Sequence, residues 1–451
     1  MPVLHVCVDF GSTFTKVVAV DDQGRLAASG SARTTIESDV MEGYDAAVGD
    51  AGVGDGDAVH TLACSSAGGG LRIAVVGYER AITAEAGYRV GLSAGGKVCH
   101  VTSGQLGAED VTALVATQPD VVLLVGGTDG GNSDVLVHNA HALARAGLTT
   151  PVVVAGNKAA RTQVIRILRR SKVTASVADN VLPTIGVLDP RSAREAIREV
   201  FISHVIGGKH LSARVDLSTW VQAATPDAVL SGVELLADGT EEHPGVGDVV
   251  VVDVGGATTD VYSVTSPDLD DDPAEREAVA TMWRSRTVEG DLGVRWNAPG
   301  IVEAARREGF LVSGEDQLST AAETRRADPG YLPITSQDRS IDRELARLAA
   351  AVALRRHARP HTVGAVRYPG KDLSRVSLVV GSGGVLRHSP TGVSTALVKA
   401  AVDDPSGGWR TPDNARFIVD TKYVLAAAGL ISRSDPVLGM RLLRGTLLSR
   451  Q

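Results

Sequence analysis

The sequence predicts an α/β protein of two lobes, with an α/β insertion in the first. Three observations predict it. An apolar strand ending in an acid, a glycine turn and a return strand occurs twice, as "VLHVCVDFGSTFTKVVAV" and as "VVVVDVGGATTDVYSV". Strand-to-helix units fill the stretch between the two copies, and a helix closes each half. The copies lie too far apart for a solenoid, whose period is about 20–50 residues, so they belong to two halves of one large molecule.

The first unit alternates apolar and polar positions, turns at Phe10-Gly11-Ser12 and returns through "KVVAVD", the pattern of a hairpin. Gly43 to Gly56 is rich in Gly and Asp and is expected to be a loop. "VVLLVGGTDGGNSDVLVHNAHALARAG" reads as buried strand, glycine loop and amphipathic helix, and "PVVVAGNKAARTQVIRILRR" repeats the pattern. Parallel pairing with crossover helices follows. Pro226 to Ala237 is a helix with proline in its first turn and Gly239 just beyond it. The second hairpin comes next, then an acidic, proline-bounded stretch from Ser266 to Glu277 expected to be an exposed excursion. "VSLVVGSGGVLRH" is a strand feeding a glycine turn, and Asp420 to Ile431 an apolar helix of small residues. The division that the family resemblance given below implies is residues 1–240 for lobe I, with the hairpin in 1–36, the insertion over about 60–220 and a connecting helix at 226–239, then 241–419 for lobe II and 420–451 returning to lobe I.

Composition excludes several classes. A formal net charge of −8 argues against a nucleic-acid footprint, which needs clustered Lys and Arg. No apolar run approaches the ~20 residues that span a bilayer, and Asp9 interrupts the first strand before a signal-peptide core can form. The expectation is therefore a cytoplasmic protein without membrane contact. The three cysteines, Cys7, Cys64 and Cys99, lack disulfide or zinc spacing and read as small buried fillers.

The chemistry is concentrated at the two hairpin tips. Successive backbone N–H groups and hydroxyls can wrap a phosphate, with glycine letting the backbone come close. A carboxylate beside a phosphate is unfavourable unless a divalent cation stands between them, and Mg²⁺, which keeps most of its waters, suits that position. Gly11, Ser12 and Thr13 would hold one flank of a triphosphate and Gly255, Gly256, Thr258 and Thr259 the other, with Lys16 neutralising phosphate charge. Asp9, Asp253 and Asp260 would hold the metal through water.

These residues carry a resemblance. "DFGSTFTK" resembles the first phosphate loop of the actin, sugar kinase and heat-shock chaperone ATPase superfamily, and "DVGGATTD" the chaperone form of its second. "LVVGSGGVL" resembles the adenosine motif, which implies that Gly381, Ser382, Gly383 and Gly384 lie against the nucleotide. "PDAVLSGVELLADG" and "KYVLAAAGLI" resemble the two connecting helices. Over nearly the whole chain, "CSSAGGGLRIAVVG", "ITAEAGYRVGLSAGGKV", "LLVGGTDGGNSDVLVHNA", "VVVAGNK" and "RTVEGDLGVRWNA" are similar to the MutL-type accessory proteins of glutamate (methylaspartate) mutase. The resemblance implies an actin-like, ribonuclease H-like fold binding ATP and Mg²⁺. It also implies a chaperone-like ATPase that reactivates an adenosylcobalamin-dependent mutase, whose subunits would be its partners, with self-association left open.

Hydrolysis needs an oriented water and stabilisation of the charge that spreads over the transferred phosphoryl group. Asp253 is the metal-side acid. Alignment with actin puts Asp227 where a glutamine or glutamate usually orients the water, while the proline of the chaperone pattern would put Thr225 there. Either departure implies slow turnover. The same fold admits a small-molecule kinase or an actin-like filament protein as alternatives. "GGTDGGN", Gly126 to Asn132, reads either as tight strand-to-helix packing or as a ligand loop through Asp129 and Asn132. "EGDLG", Glu289 to Gly293, reads either as a turn near the nucleotide or as a structural turn, and Asn157 as a helix cap beside Lys158.

Overall fold

The two repeated units fold as hairpins at the centres of two sheets that share one strand order. In the computed structural model the described residues are 3–54, 58–67, 70–209, 211–215, 217–266, 283–311, 315–363, 366–368, 370–404, 410–412 and 414–449. The acidic stretch after Ser266 lies outside them. β1 (Val3–Phe10) pairs antiparallel with β2 (Phe14–Val20), β2 pairs with β3 (Leu26–Arg33), and β1 runs parallel to β4 (Ala58–Ser65). Between β3 and β4 stands α1 (Val40–Ala51), where a loop was expected over Gly43 to Gly56. The helix forms because Asp39 caps it by accepting from Met41 N at 2.8 Å, and because Val40, Met41 and Ala47 bury against the sheet. Gly43 there serves close approach rather than a turn. A Cβ on Gly43 would lie 2.5 Å from the Arg33 carbonyl.

The insertion comprises β5 (Leu71–Gly77), α2 (Glu85–Ser93), β6 (Gly96–Ser103), α3 (Ala108–Ala116), β7 (Val121–Leu124), α4 (Asp134–Arg145), β8 (Val152–Val154), α5 (Arg161–Arg170), β9 (Ala175–Val177), α6 (Arg191–Val200) and α7 (Gly207–Lys209). Its strands are all parallel in the order β6-β5-β7-β8-β9, a doubly wound layer. β10 (Val221–Ala224) then returns beside β4 and completes the first sheet as β10-β4-β1-β2-β3, leading into α8 (Thr225–Asp238).

The second half repeats the scheme. β11 (Val249–Val254), β12 (Thr259–Val264) and β13 (Arg284–Glu289) form an antiparallel meander. Helices α9 (Ala298–Arg307), α10 (Glu315–Ala327) and α11 (Ser336–Ala358) and a ribbon of β14 (His361–Val363) and β15 (Val366–Tyr368) follow. Then come β16 (Leu378–Ser382), α12 (Gly384–Arg387), α13 (Thr391–Val402), β17 (Arg416–Val419), α14 (Val424–Ile431) and α15 (Pro436–Leu442). The sheet order is β13-β12-β11-β16-β17. In each sheet, counting only that sheet's own strands in chain order, the third, second, first, fourth and fifth lie side by side, with the fourth and fifth parallel to the first. This duplication is the two-lobed, ribonuclease H-like α/β fold of the actin-like ATPases.

α8 and α14, each following the fifth strand of its half, cross between the sheets. A Cβ on Gly232 would lie 2.0 Å from the Leu425 carbonyl oxygen and one on Gly429 1.9 Å from that of Ala228. The pair packs into one apolar cluster with Cys7, Leu62 and Cys64 of the first sheet and Val249, Val251 and Val380 of the second. α14 begins later than the apolar run, at Val424, because Asp420 accepts from Val424 N and Leu425 N at 3.0 Å each and Tyr423 adopts φ 61°. Among the described residues no helix is long and apolar enough to cross a membrane.

Candidate functional site

The register of the first hairpin sets Asp9 opposite Lys16. Asp9 is buried, and its Oδ2 accepts from Lys16 Nζ at 2.7 Å while its Oδ1 accepts from Thr225 Oγ1 at 2.6 Å. Burial opposes the Lys16 charge, but the adjoining Asp9 carboxylate holds the ammonium above its usual range. Lys16 also lies over the Tyr423 ring, 4.3 Å from its centroid. The first hairpin, the head of α8 and the head of α14 thus converge on one carboxylate.

The second hairpin differs at the equivalent place. Asp253 stands opposite Asp260 on one side and Ser382 of β16 on the other. Asp260 is compensated: its Oδ1 accepts from Arg286 Nε at 2.7 Å and its Oδ2 from Thr258 Oγ1 at 2.8 Å. Asp253 has the Ser382 hydroxyl in place of an ion pair, and its Oδ1 is enclosed without a hydrogen-bond partner. Burial pushes its carboxyl up to about 6, Lys16 opposes that, and the Asp260 and Asp9 carboxylates add to it.

The two tips face each other. A Cβ on Gly256 would lie 3.2 Å from Thr13 Oγ1, and that hydroxyl is likewise buried without a partner. The two orphaned oxygens, one on each hairpin and one of them on an acid, are what a cation-bearing polar ligand would satisfy. Other expected phosphate contacts are arranged differently. The Thr259 hydroxyl donates to the Leu292 carbonyl at 2.6 Å, Thr258 is turned to Asp260, and Ser12 is exposed. Gly255 closes the turn, its N–H donating to the Thr258 carbonyl at 2.9 Å, and a Cβ on Gly11 would lie 3.2 Å from Lys16 Nζ. In the adenosine-type turn, a Cβ on Gly381 would meet Val398 at 2.4 Å and one on Gly383, at φ 109°, the Val254 carbonyl at 2.1 Å. Those glycines permit packing of β16 on its neighbours, whereas Gly384 opens on free space. Among the described residues no group of three or more His, Cys, Asp or Glu side chains could hold a metal ion by itself.

Asp227 does not join this cluster. Its buried carboxylate accepts from Arg198 Nε at 2.7 Å, Arg433 Nη2 at 3.0 Å and Arg194 Nη2 at 3.2 Å. Burial works against its charge, yet the three guanidinium groups hold it below the usual range. Of the two alternatives at the head of α8, Thr225 is the one that touches Asp9. The "GGTDGGN" polar groups are also engaged internally. Asp129 Oδ1 accepts from Lys158 N at 3.0 Å and Asn180 Nδ2 at 3.1 Å, and Asn157 Nδ2 donates to the Gly131 carbonyl at 2.9 Å while its Oδ1 accepts from Ala159 N. The residues just after the "EGDLG" turn brace the second tip: Val294 N donates to the Gly255 carbonyl and Asn297 Nδ2 to that of Ala257, each at 3.1 Å. Arg286, Asn297 and Tyr423 escaped the sequence reading. Arg286 and Asn297 sit in "RTVEGDLGVRWNA", a stretch whose only signal was its family resemblance.

The chain matches the MutL protein family over residues 5–447. Protein MutL of Clostridium tetanomorphum is 34% identical over 458 residues, covering 98% of this chain and 99% of that protein. Among solved structures, nucleotide-free acetone carboxylase aligns at a TM-score of 0.42 and 16% identity, covering 96% of this chain and 70% of that one. A glycerol dehydratase reactivase aligns at 0.35 and 13% identity, covering 95% and 99%. The ROK family glucokinase of Streptomyces griseus, solved with glucose and AMPPNP, aligns at 0.33 and 13%, covering 98% of each. These superpositions are loose, and what identifies the fold is the repeated strand order.

Proposed function

The chain belongs to the MutL protein family, and from that premise we propose that it is an ATP-dependent reactivating factor for an adenosylcobalamin-dependent mutase of the glutamate (methylaspartate) type, acting in the cytoplasm. The observation that carries the nucleotide assignment is the unpartnered Asp253 Oδ1 on the hairpin whose Gly256 meets Thr13 of the other, whose hydroxyl is unpartnered too. Gly11, Ser12, Thr13 and Lys16 would hold the phosphates from one lobe, and the backbone of Gly255, Gly256, Thr258 and Thr259 from the other. Asp253 and Asp9 would hold magnesium through water, and the metal would supply the positive charge that Asp253 lacks. Thr225, bonded to Asp9, would orient the attacking water, and a hydroxyl in place of a carboxamide would suit a slow ATPase. Asp260 then serves the arrangement of the turn through Arg286 rather than the metal. Residues 1–240, 241–419 and 420–451 are the working division into lobes. A kinase would need an acceptor pocket beside the first hairpin and the connecting helix, and there Gly95 of the insertion packs on Ala224 and Asp227.

The test is recovery of an inactivated adenosylcobalamin mutase holoenzyme after addition of this chain with Mg²⁺ and ATP. Recovery should require nucleotide and should disappear with Asp253→Asn. Equal recovery without ATP would count decisively against the proposal.

A further inference from the structure

One buried side chain touches both the second hairpin and the inserted domain. Arg286 of β13 is 6% exposed. Its Nε donates to Asp260 Oδ1 at 2.7 Å, and its Nη1 donates to the main-chain carbonyls of Gly96 at 3.2 Å and Leu92 at 3.4 Å. Those carbonyls belong to the corner that joins α2 to β6. The corner is wedged tightly. A Cβ on Gly95, at φ 81°, would lie 2.9 Å from Asp227 N and 3.2 Å from the Ala224 Cβ, and one on Gly96 would lie 2.3 Å from Ile73 Cδ1. One side of the corner therefore bears on the head of α8, whose Thr225 bonds to Asp9, and the other on the arginine that neutralises Asp260.

Guanidinium chemistry suits this position. Its donors point outward in one fixed plane, so an arm can hold a carboxylate while another reaches carbonyls on a different element. A lysine can pair with the carboxylate but cannot span both. When the second lobe moves relative to the first, Arg286 must either carry the corner with it or lose those bonds, because packed interfaces shift between discrete arrangements. The corner ends α2 and begins β6, the edge strand of the inserted sheet, so its displacement is delivered to the whole parallel layer.

We infer that Arg286 is the connector through which the Thr258–Asp260 turn sets the position of the inserted α/β domain, making that domain the part of the molecule that reports the nucleotide state. This rests on assigning the nucleotide to the paired hairpins. The test is hydrogen–deuterium exchange on the full chain, with ATP uptake measured in parallel by calorimetry. With Mg²⁺ and ATP, exchange across residues 85–103 should slow by about fivefold or more in the wild-type chain. Arg286→Lys should still take up ATP and protect both hairpins, but lose the change at 85–103. Asp260→Ala, which removes the acceptor of Arg286 Nε and so frees Arg286 from the second hairpin, is the second variant and should lose it too. ATP uptake with no response at 85–103, or a full response in Arg286→Lys, overturns the connector. No ATP uptake by the wild-type chain overturns the nucleotide assignment, and the connector with it.

Discussion

Of the four acids at the two hairpins and the head of α8, three have a cation of their own. Asp9 has Lys16, Asp260 has Arg286 and Asp227 has three arginines, whereas Asp253 is pushed up to about 6 by its burial, with Lys16 opposing and Asp260 and Asp9 assisting. A carboxyl whose folded-state pKa exceeds its unfolded value binds more protons in the folded chain, so stability falls as pH rises between about 4 and 6 and stays lowered above that. Asp253→Asn should therefore raise the stability of the nucleotide-free protein at pH 7.5 by about 2–3 kcal/mol and leave it nearly unchanged at pH 4, read from urea unfolding at the two pH values. The same substitution should cut ATP hydrolysis by about a hundredfold. The two residues at the head of α8 should separate cleanly. Asp227→Asn removes the counter-charge of a buried arginine cluster and should cost about 3–5 kcal/mol of stability with little change in turnover per folded molecule. Thr225→Val should cost about 1 kcal/mol but slow hydrolysis about tenfold or more. If Asp227→Asn alone slows turnover, the water-orienting role belongs to Asp227. The acids were legible from their places after apolar strands. Their partners were not, because Arg194, Arg198 and Arg433 reach Asp227 from an insertion helix and from the C-terminal region.

The connecting helices show how small residues set a geometry. At Gly232 the obstacle to a side chain is the Leu425 carbonyl, a backbone group that no rotamer change can move aside. Gly232→Ala should therefore destabilise the protein by about 1–3 kcal/mol through overpacking and should weaken the response of one lobe to the other. Gly49, inside α1 with nothing within 4 Å of its Cβ position, is the matched control. Gly49→Ala should stabilise by about 0.5–1 kcal/mol, measured in the same denaturant series. The pair also explains one misjudged element. Glycine and aspartate mark a turn when read alone, but in α1 Asp39 is a cap and Gly43 a point of close approach. Composition does not distinguish these uses, since the strand the helix leans on lies elsewhere in the chain. The same ambiguity touched "GGTDGGN", whose polar groups are satisfied by Asn157, Lys158 and Asn180.

For the whole molecule, the repeated strand order makes two halves joined by two crossing helices, and the corner between α2 and β6 of the inserted parallel layer bears on the head of α8 and on Arg286 of β13. Closure of the two halves about that crossing would be driven only by a ligand whose affinity differs between open and closed arrangements, and contacts from both tips at once would supply that difference. By itself the sequence determined the two-lobed α/β class, the two hairpins, the order of their acids and glycines and the connecting helices, because strand alternation, turn chemistry and helix periodicity act over a few residues. Only the tertiary structure decided which cation answers which acid, that Thr13 and Gly256 meet, that Thr225 rather than Asp227 faces Asp9, and that Arg286 ties the second hairpin to the insertion. Those contacts join residues far apart in the chain, and their geometry depends on how two helices cross and one domain docks, which no local pattern encodes.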